Sequence, residues 1–291
     1  MESMGGAYAR AIEEATKEFQ AAVPAVMAEA SGVEFREAQA PGETSVFKVP
    51  LMDSVLDITY PEGAVTSDGK GAVVAIVVVT LHYLARSVGL LDLSEPVRFA
   101  GLPGASAYAG AFRSHTEVPL LQRFGEDGAG FVAAVSALGG VPDGGEAYPE
   151  VAWEVPFFPH LPLGVRLGLA EDAMPAECVI TFPRRCGFVY HVEDLAVIGE
   201  LFAARLLEVA EAALGAEGHA EPVRLITLFS RVEADLMVAK LRSAEIEAIV
   251  QPEALSVVFG LTMDGHARLH VLVRPEDLAE ARGVLDTEGV P

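Results

Sequence analysis

Cysteines, lysines and basic residues in general are scarce in this sequence. Cys178 and Cys186 are its only cysteines among 291 residues, which is too few for a disulfide framework, an iron–sulfur cluster or a zinc site built from cysteines. Four lysines are present, and 20 basic residues face 42 acidic ones, for a formal net charge of -22. Because such a surface repels phosphate groups, the charge argues against nucleic acids and anionic membranes as partners.

A signal sequence and a membrane-spanning segment are lacking as well. The N-terminus has no basic segment followed by an apolar run, which a secretory signal requires. The most apolar run, residues 72–81, has about half the length needed to cross a bilayer. We therefore expect a soluble, cytoplasmic protein.

Apolar residues, by contrast, are abundant enough for a large core. Hydrophobic residues make up 51% of the chain and charged residues 21%, proportions that exclude a disordered protein. A chain of 291 residues suits one large domain or two ordinary ones.

The N-terminal part combines helical patterns with short strands. Residues 8–30 carry apolar side chains at three- and four-residue spacing, so we predict an amphipathic helix kinked at Pro24. Residues 46–49 and 55–59 alternate like paired strands, and residues 71–87 predict a buried helix. Further predicted elements are strands at 97–100, 165–169 and 178–182, helices at 128–138 and 192–214, and an extended, aromatic-rich stretch at 153–162.

The last seventy or so residues follow a different pattern. A linker rich in Gly, Ala and Glu ends near residue 221, so we predict domains at 1–217 and 221–291. The second reads strand, helix, strand, strand, helix, with a capping box of Ser230 and Glu233 at its first helix. This βαββα order is most of a ferredoxin-like unit. Its closing strand is missing, which predicts an open sheet edge for another chain, including a second copy in a homo-oligomer.

The fold class we expect is therefore α+β: a large mixed N-terminal domain followed by a small ferredoxin-like domain. The C-terminal segments 224–229, 246–248 and 271–281 resemble a prokaryotic signal-transducing family related in fold to the nitrogen-regulatory PII proteins. That resemblance implies the binding of a small molecule or a protein partner.

Residues 8–210 carry a second resemblance. The matching residues are Leu81-His82-Tyr83-Leu84, Phe99, Leu102-Pro103-Gly104, Tyr108, Phe112, Pro119-Leu120 and Glu193-Asp194-Leu195-Ala196. They resemble a family found mainly in anaerobic bacteria and archaea, domain of unknown function 3786. Some relatives are fused to, or encoded beside, iron–sulfur and corrinoid proteins of one-carbon metabolism, so the resemblance implies that context but no particular chemistry. The chain departs from the family where an acidic run is thinned to Glu171-Asp172-Ala173 and where Pro183 replaces an aspartate.

One candidate ligand site follows from these residues. A buried histidine is more often satisfied by a backbone group or a tyrosine hydroxyl than by a ligand. The resemblance nevertheless draws attention to His82, with carboxylates and histidines that suit a hard or borderline metal. We expect a cleft between two hairpins and the helix at 71–87 to collect this site. The predicted members are His82, Tyr83, Tyr108, Glu171, Asp172 and His191.

Three further motifs have a structural and a functional interpretation. The loop Gly101-Leu102-Pro103-Gly104 precedes a helix and could hold an anion on its backbone N–H groups at Gly101 and Gly104, although an ordinary turn explains it as well. Cys186 lies near His191, but no oxyanion site accompanies the thiol. We expect Arg184 and Arg185 to lower the pKa of that thiol. His266 and His270 share one face of a strand about 13 Å apart, too far to share one ion.

Three functions are compatible with these patterns. The first is a non-catalytic regulatory or accessory protein that binds a small ligand or a protein partner, in anaerobic one-carbon, corrinoid or iron–sulfur metabolism as the resemblance implies. The second is an enzyme or metal- and cofactor-handling protein that uses the N-terminal acids and histidines. The third is a structural subunit of an assembly that docks through the aromatic stretch from Trp153 to His160.

Overall fold

The computed structural model describes residues 4–143, 150–169, 175–216, 223–228, 231–244, 246, 248–252 and 269–286. Over these residues the chain is a mixed α+β protein with three antiparallel sheets. It divides into two units, Met1–Leu207 and Glu208–Pro291, which we describe separately. The division falls within a long helix, whereas the domain limits expected near residues 217 and 221 remain sequence-based predictions.

Two helices, α1 (Met4–Ala21) and α2 (Pro24–Ser31), stand where the pattern predicts one kinked helix. Pro24 starts the second helix instead of bending a continuous one, because proline has no N–H to donate and is best accommodated in a first turn. Gly32 ends α2 with a left-handed φ of 69°, and its N–H bonds back to the last turn.

The first sheet is a meander of five strands in chain order. Its central pair confirms the strands predicted at 46–49 and 55–59, and their alternate side chains, including Phe47 and Ile58, lie fully buried. The strands are β1 (Glu34–Arg36), β2 (Ser45–Leu51), β3 (Ser54–Tyr60), β4 (Val65–Ser67) and β5 (Lys70–Gly71).

The predicted buried helix is α3 (Val74–Arg86), with seven buried residues. Its apolar side chains surround it on nearly every side, which is the pattern of a helix enclosed by other elements. α3 therefore brings any polar side chain in its second half into the core, and His82 is one of these.

Short helical elements connect α3 to the second sheet. The strand expected at 97–100 ends earlier, as β6 (Pro96–Arg98), because Phe99 enters a 3-10 turn and stacks on Phe112 with ring centroids 4.1 Å apart. The helices that follow are α4 (Ala109–His115), α5 (Glu117–Phe124) and α6 (Gly128–Ala137). The sequence patterns predict α6 and the region of α4 but not α5, whose proline lies in its first turn, where it is tolerated.

The second sheet has the order β6-β10-β9-β8-β7. Its other strands are β7 (Val141–Pro142), β8 (Glu150–Phe158), β9 (Leu161–Gly168) and β10 (Glu177–Pro183). The aromatic stretch expected to be extended is β8, but Trp153, Phe157 and Phe158 are at most 9% exposed. The expectation that these aromatic side chains form a docking strip is therefore wrong, because they fill the core behind the sheet.

Helix α7 (Val192–Ala216) confirms the long helix predicted from residue 192. In the second unit, β11 (Val223–Leu228), β12 (Ala248–Pro252) and β13 (Leu269–Val273) form an antiparallel sheet with the order β11-β13-β12. α8 (Arg231–Ser243) and α9 (Leu278–Asp286) contribute Ala234, Leu241 and Ala281 to its buried cluster. Ser230 of the expected capping box, and His266, lie outside the described residues, and the ferredoxin-like assignment stays a prediction.

None of the helices over the described residues is both long enough and apolar enough to span a membrane.

Candidate functional site

A buried histidine and a buried aspartate meet between α3 and the start of α7. Both carboxylate oxygens of Asp194 lie 2.9 Å from Nδ1 of His82. The two side chains are 11% and 9% exposed. We call His82 and Asp194 the dyad. The expectation that a buried His82 is satisfied by a backbone group or a tyrosine hydroxyl is wrong, because a carboxylate takes that role.

Local structure explains why each member of the dyad needs the other. His82 is carried into the core by the apolar surface of α3, where an unpaired imidazole N–H would be costly. Asp194 lies in the first turn of α7, as the sequence predicts, and the positive end of the helix dipole favours a carboxylate there. The buried carboxylate of Asp194 also needs hydrogen-bond donors, and His82 supplies one.

Arg86 and Glu18 extend the dyad into a four-residue network. Arg86 follows His82 by one helical turn, so both side chains leave the same face of α3. Its Nη1 donates to Asp194 at 3.1 Å, and its Nε and Nη2 each donate to a different oxygen of Glu18 at 2.7 Å. This paired geometry is the strong form of an arginine–carboxylate contact.

The charges in this network shift two pKa values in opposite directions. The hydrogen bond from Arg86 holds the pKa of Glu18 below its usual range, against burial, and the nearby imidazoles of His82 and His191 add to the lowering. Burial lowers the pKa of Arg86, but its bonds and charge interactions with Glu18 and Asp194 outweigh that effect and leave the pKa raised. Glu18 and Arg86 are therefore both charged at neutral pH.

The dyad also determines the tautomer of His82. An ionised carboxylate accepts hydrogen bonds only, so Nδ1 of His82 must carry the proton that faces Asp194. In a neutral imidazole the other nitrogen, Nε2, then keeps its lone pair. No side chain or backbone group among the described residues donates to Nε2. Asp194 thus orients the His82 ring from its Nδ1 side, and Nε2 lies on the other side of the ring.

His191, another predicted member of the site, lies beside the His82 ring. Its ring centroid is 6.4 Å from that of His82, with the two planes at 75°. His191 is exposed and immediately precedes α7, whose first turn contains Asp194. The start of α7 therefore positions both side chains. Within the described residues, however, no group of three or more His, Cys, Asp or Glu side chains is arranged to hold a metal ion.

Tyr108 is placed near the same helix start but at the surface. Its hydroxyl donates to Glu193 at 3.1 Å, and that hydrogen bond raises the pKa of Tyr108. Tyr108 is 42% exposed. The structure connects it to α7 through Glu193, not directly to His82.

Tyr83 points away from the dyad and has a structural role. Its ring stacks on Phe158 with centroids 4.2 Å apart, and its hydroxyl donates to the Ser31 carbonyl and accepts from the backbone N–H of His160 at 2.9 Å. Burial raises the pKa of Tyr83 well above its usual value. The helix α3 therefore separates Tyr83 from His82, although the two are adjacent in sequence.

Two predicted members of the site, Glu171 and Asp172, lie outside the described residues. The proposed anion loop lies within them. Gly101 ends one 3-10 turn, and Gly104, with a left-handed φ of 77°, precedes another of three residues. The Leu102 N–H donates to the Phe99 carbonyl, and the Ala105 N–H donates to the Leu102 carbonyl. The geometry is that of two consecutive turns.

The two cysteines are buried, and neither is a thiolate at neutral pH. Burial raises the pKa of Cys178 and that of Cys186 to about 12. The expectation that the adjacent arginines lower the pKa of Cys186 is therefore wrong, because desolvation of the thiol dominates.

Arg86, Glu18 and Asp194 are the residues that sequence reasoning missed as parts of the site. The spacing of His82 and Arg86 on a predicted helix was a usable signal, since residues four apart share a face. Asp194 is among the residues that carry the family resemblance, but nothing local in the sequence links it to His82, 112 residues earlier.

The family model named domain of unknown function (DUF3786) matches residues 24–205. The chain belongs to the DUF3786 family. That match covers both members of the dyad, and His82 and Asp194 lie in two of the segments on which the resemblance rests. No curated protein and no solved structure matches the chain.

Proposed function

We propose that this DUF3786 protein is a non-catalytic accessory or regulatory protein that binds a small ligand at the dyad. The observation that carries the proposal is the contact of both Asp194 carboxylate oxygens with Nδ1 of His82 at 2.9 Å. Asp194 fixes the ring through Nδ1, so Nε2 is oriented before any ligand arrives. A preoriented donor atom lowers the entropic cost of binding.

A metal ion or a metal-bearing cofactor is the ligand class that suits this nitrogen. Imidazole is a good ligand for borderline first-row metals. A carboxylate on the opposite ring nitrogen fixes the tautomer and raises the basicity of the ligating atom. His191 offers a second imidazole at 6.4 Å between ring centroids, and the remaining coordination positions would come from the ligand itself. The corrinoid and iron–sulfur context implied by the resemblance agrees with such a ligand.

Titration of the untagged full chain with Co²⁺ tests the proposal. The expected result is one bound ion per chain, with affinity reduced about tenfold or more in His82→Gln and in Asp194→Asn, in line with the effect of losing a ligand or its supporting carboxylate. His115→Gln is the matched control, because His115 also pairs with a carboxylate, Glu200 at 3.0 Å, but is half exposed. Equal binding by the wild type and His82→Gln would contradict the proposal.

An enzyme that uses His82 as a general base is the second candidate. The same dyad favours it, because a carboxylate behind a histidine orients the base and stabilises the imidazolium that forms. Native mass spectrometry distinguishes the two candidates. A small molecule that co-purifies unchanged supports binding, whereas one converted by the wild type but not by His82→Gln supports catalysis.

We also propose that the second unit is ferredoxin-like, related to the signal-transducing family, and pairs with another chain at a sheet edge. The proposal is supported by the antiparallel order β11-β13-β12, in which the first and third strands are neighbours, and by the two helices packed on one cluster. In that fold the fourth strand would pair with β11. Light scattering of the full chain over a wide concentration range tests self-pairing, and a monomer throughout would contradict it.

A further inference from the structure

A groove on the second sheet of unit 1 is separate from the dyad. It has a volume of about 390 Å³, which is within the range of small-molecule sites. Its floor is formed by β8, β9 and β10, and Leu93, in the segment before β6, lies on one wall. All of its lining residues lie between positions 93 and 181, so the groove belongs to unit 1 alone.

The strand register shows which side chains share the groove face. Gly164 on β9 is opposite both Glu154 on β8 and Thr181 on β10. Thr181 is in turn opposite Arg98 on β6. Directly paired residues point to the same face of a sheet, so Glu154, Gly164, Thr181 and Arg98 form one row across it.

A second row runs parallel to the first. Arg166 on β9 is opposite Ala152 on β8 and Val179 on β10. The backbone N–H of Asp143 donates to the Ala152 carbonyl at 2.9 Å, which places Asp143 at the outer end of this row. Each row therefore has an acidic residue on the β7–β8 side. Each also has an arginine on a strand beyond β8: Arg98 on β6 in the first row and Arg166 on β9 in the second.

Charge is distributed unevenly among the residues that line the groove, which include two acids and two arginines. Asp143 and Glu154 are on the β7–β8 side, Arg166 is on the middle strand, and Arg98 is on the far edge, where it pairs with Glu177 at 2.8 Å. The floor between them is uncharged and consists of Gly164, Val179 and Thr181. In a chain of net charge -22, a groove that presents both signs of charge favours a ligand that carries both charges over a simple anion.

Gly164 keeps the floor of the groove low. A Cβ atom at this position would overlap the Thr181 hydroxyl oxygen. Because Gly164 has no Cβ, the sheet backbone itself lines the groove at this position, and a ligand can approach close to the strands. Glycine inside a strand is typical of sites where another backbone or a ligand comes close.

We propose that this groove binds a zwitterionic small molecule of dipeptide size. The ammonium group lies towards Asp143 and Glu154, and the carboxylate lies towards Arg166 and Arg98. Glu154 on β8 and Arg166 on β9 are one strand spacing of about 4.8 Å apart across the sheet. An extended dipeptide, about 7 Å long at most, is long enough to bridge that spacing.

Calorimetric titration of the full chain with three alanine dipeptides tests the proposal. The first has both ends free, the second has its amine acetylated, and the third has its carboxylate amidated. Trp153, the sole tryptophan of the chain, lies between Ala152 and Glu154 in β8, so its side chain faces the opposite side of the sheet. Substitutions on the groove face therefore report whether a titrated ligand occupies this site. We expect the free dipeptide to bind and each capped form to bind about tenfold more weakly, because each loses a charge-assisted contact.

Two charge-removing variants and two matched controls complete the experiment. Glu154→Gln and Arg166→Gln are expected to weaken binding of the free dipeptide about tenfold. Glu34→Gln and Arg36→Gln change an exposed pair on β1, which belongs to the first sheet and not to the sheet that forms the groove, and are expected to leave binding unchanged. The proposal is overturned if the free dipeptide fails to bind at about 10 mM, if all three dipeptides bind equally, or if the groove variants bind as the controls do.

Discussion

Replacing Asp194 by asparagine is expected to destabilise unit 1 by about 2–3 kcal/mol. The amide has nearly the shape of the carboxylate but lacks the charge that faces His82 Nδ1 at 2.9 Å and Arg86 Nη1 at 3.1 Å. Breaking a fully buried ion pair costs about 3–5 kcal/mol. We expect a smaller loss for Asp194→Asn, because Arg86 keeps its two hydrogen bonds to Glu18 and is therefore not left unpaired.

Tryptophan fluorescence in urea measures this loss for unit 1 alone. Trp153 is the only tryptophan in the sequence, lies in β8 and is 9% exposed, so its emission changes when unit 1 unfolds. A chain of two units need not unfold in one step, and a probe in one unit avoids averaging over both. The expected result is a lower midpoint with an unchanged slope, which indicates lost stability without a change in the unfolded state.

Glu200→Gln is the control for this substitution, and its pH dependence has a definite sign. Burial raises the pKa of Glu200 above its ordinary value of 4.5, against the hydrogen bond from His115. The folded state therefore favours the protonated carboxyl, and the stability due to Glu200 is present below the unfolded pKa and lost as pH rises through the folded pKa. Because glutamine stays neutral, we expect Glu200→Gln to match or exceed wild-type stability at pH 7, with the difference vanishing towards pH 4.

A loss of less than about 0.5 kcal/mol in Asp194→Asn, the range of ordinary surface substitutions, would refute a stabilising role for the Asp194 carboxylate. The same conclusion would follow if Asp194→Asn and Glu200→Gln had the same effect at pH 7. Either result would mean that the buried carboxylate is not what stabilises His82 and Arg86.

Three other predictions concern the buried hydroxyl of Tyr83, the packing around Gly199 and the reactivity of the two cysteines. Tyr83→Phe should cost about 1–3 kcal/mol in the urea assay, because it leaves two backbone groups without their partner. Gly199→Ala should cost about 1–3 kcal/mol, since the added Cβ would overlap the Phe112 ring in a packed core. Cys178 and Cys186, buried with pKa values of about 12, should not react with a thiol reagent at pH 8 in the folded chain, and both should react in urea.

Control substitutions test the predictions for Gly199 and Tyr83, and a direct labelling outcome tests the prediction for the cysteines. Gly110→Ala adds a Cβ where no atom lies within 4 Å, so it should be neutral or stabilising by up to about 1 kcal/mol; an equal loss at Gly110 and Gly199 would contradict the packing argument. Tyr60→Phe removes a hydroxyl with no hydrogen bond to the described residues and should be neutral, unlike Tyr83→Phe. Rapid labelling of either cysteine in the folded chain would show that its thiol is accessible.

Local sequence patterns predicted many of the helices and strands. The apolar run of α3, the alternation of β2 and β3, and the long helix α7 were all predictable, because each depends on side chains that are neighbours along one element. Predictions failed where a distant contact overrode the local pattern. The strand at 97–100 is cut short at Arg98 because Phe99 stacks on Phe112, thirteen residues away.

The candidate site was only partly predictable for the same reason. The sequence selected His82 and His191, and the structure brings their rings within 6.4 Å. It also selected Tyr83, but adjacent residues on a helix point in different directions, and Tyr83 faces the core behind α3. Tyr108 reaches α7 only through Glu193.

The sequence by itself determined that this chain is acidic, rich in apolar residues, built of helices and strands, and equipped with a buried histidine. Only the tertiary structure decided that the partner of His82 is Asp194, 112 residues further on, and that four strands place two acids and two arginines around one groove. Periodicity specifies which face of an element is buried, whereas the partner of a buried polar group depends on how elements pack across long loops. The chemistry of both candidate sites therefore follows from packing.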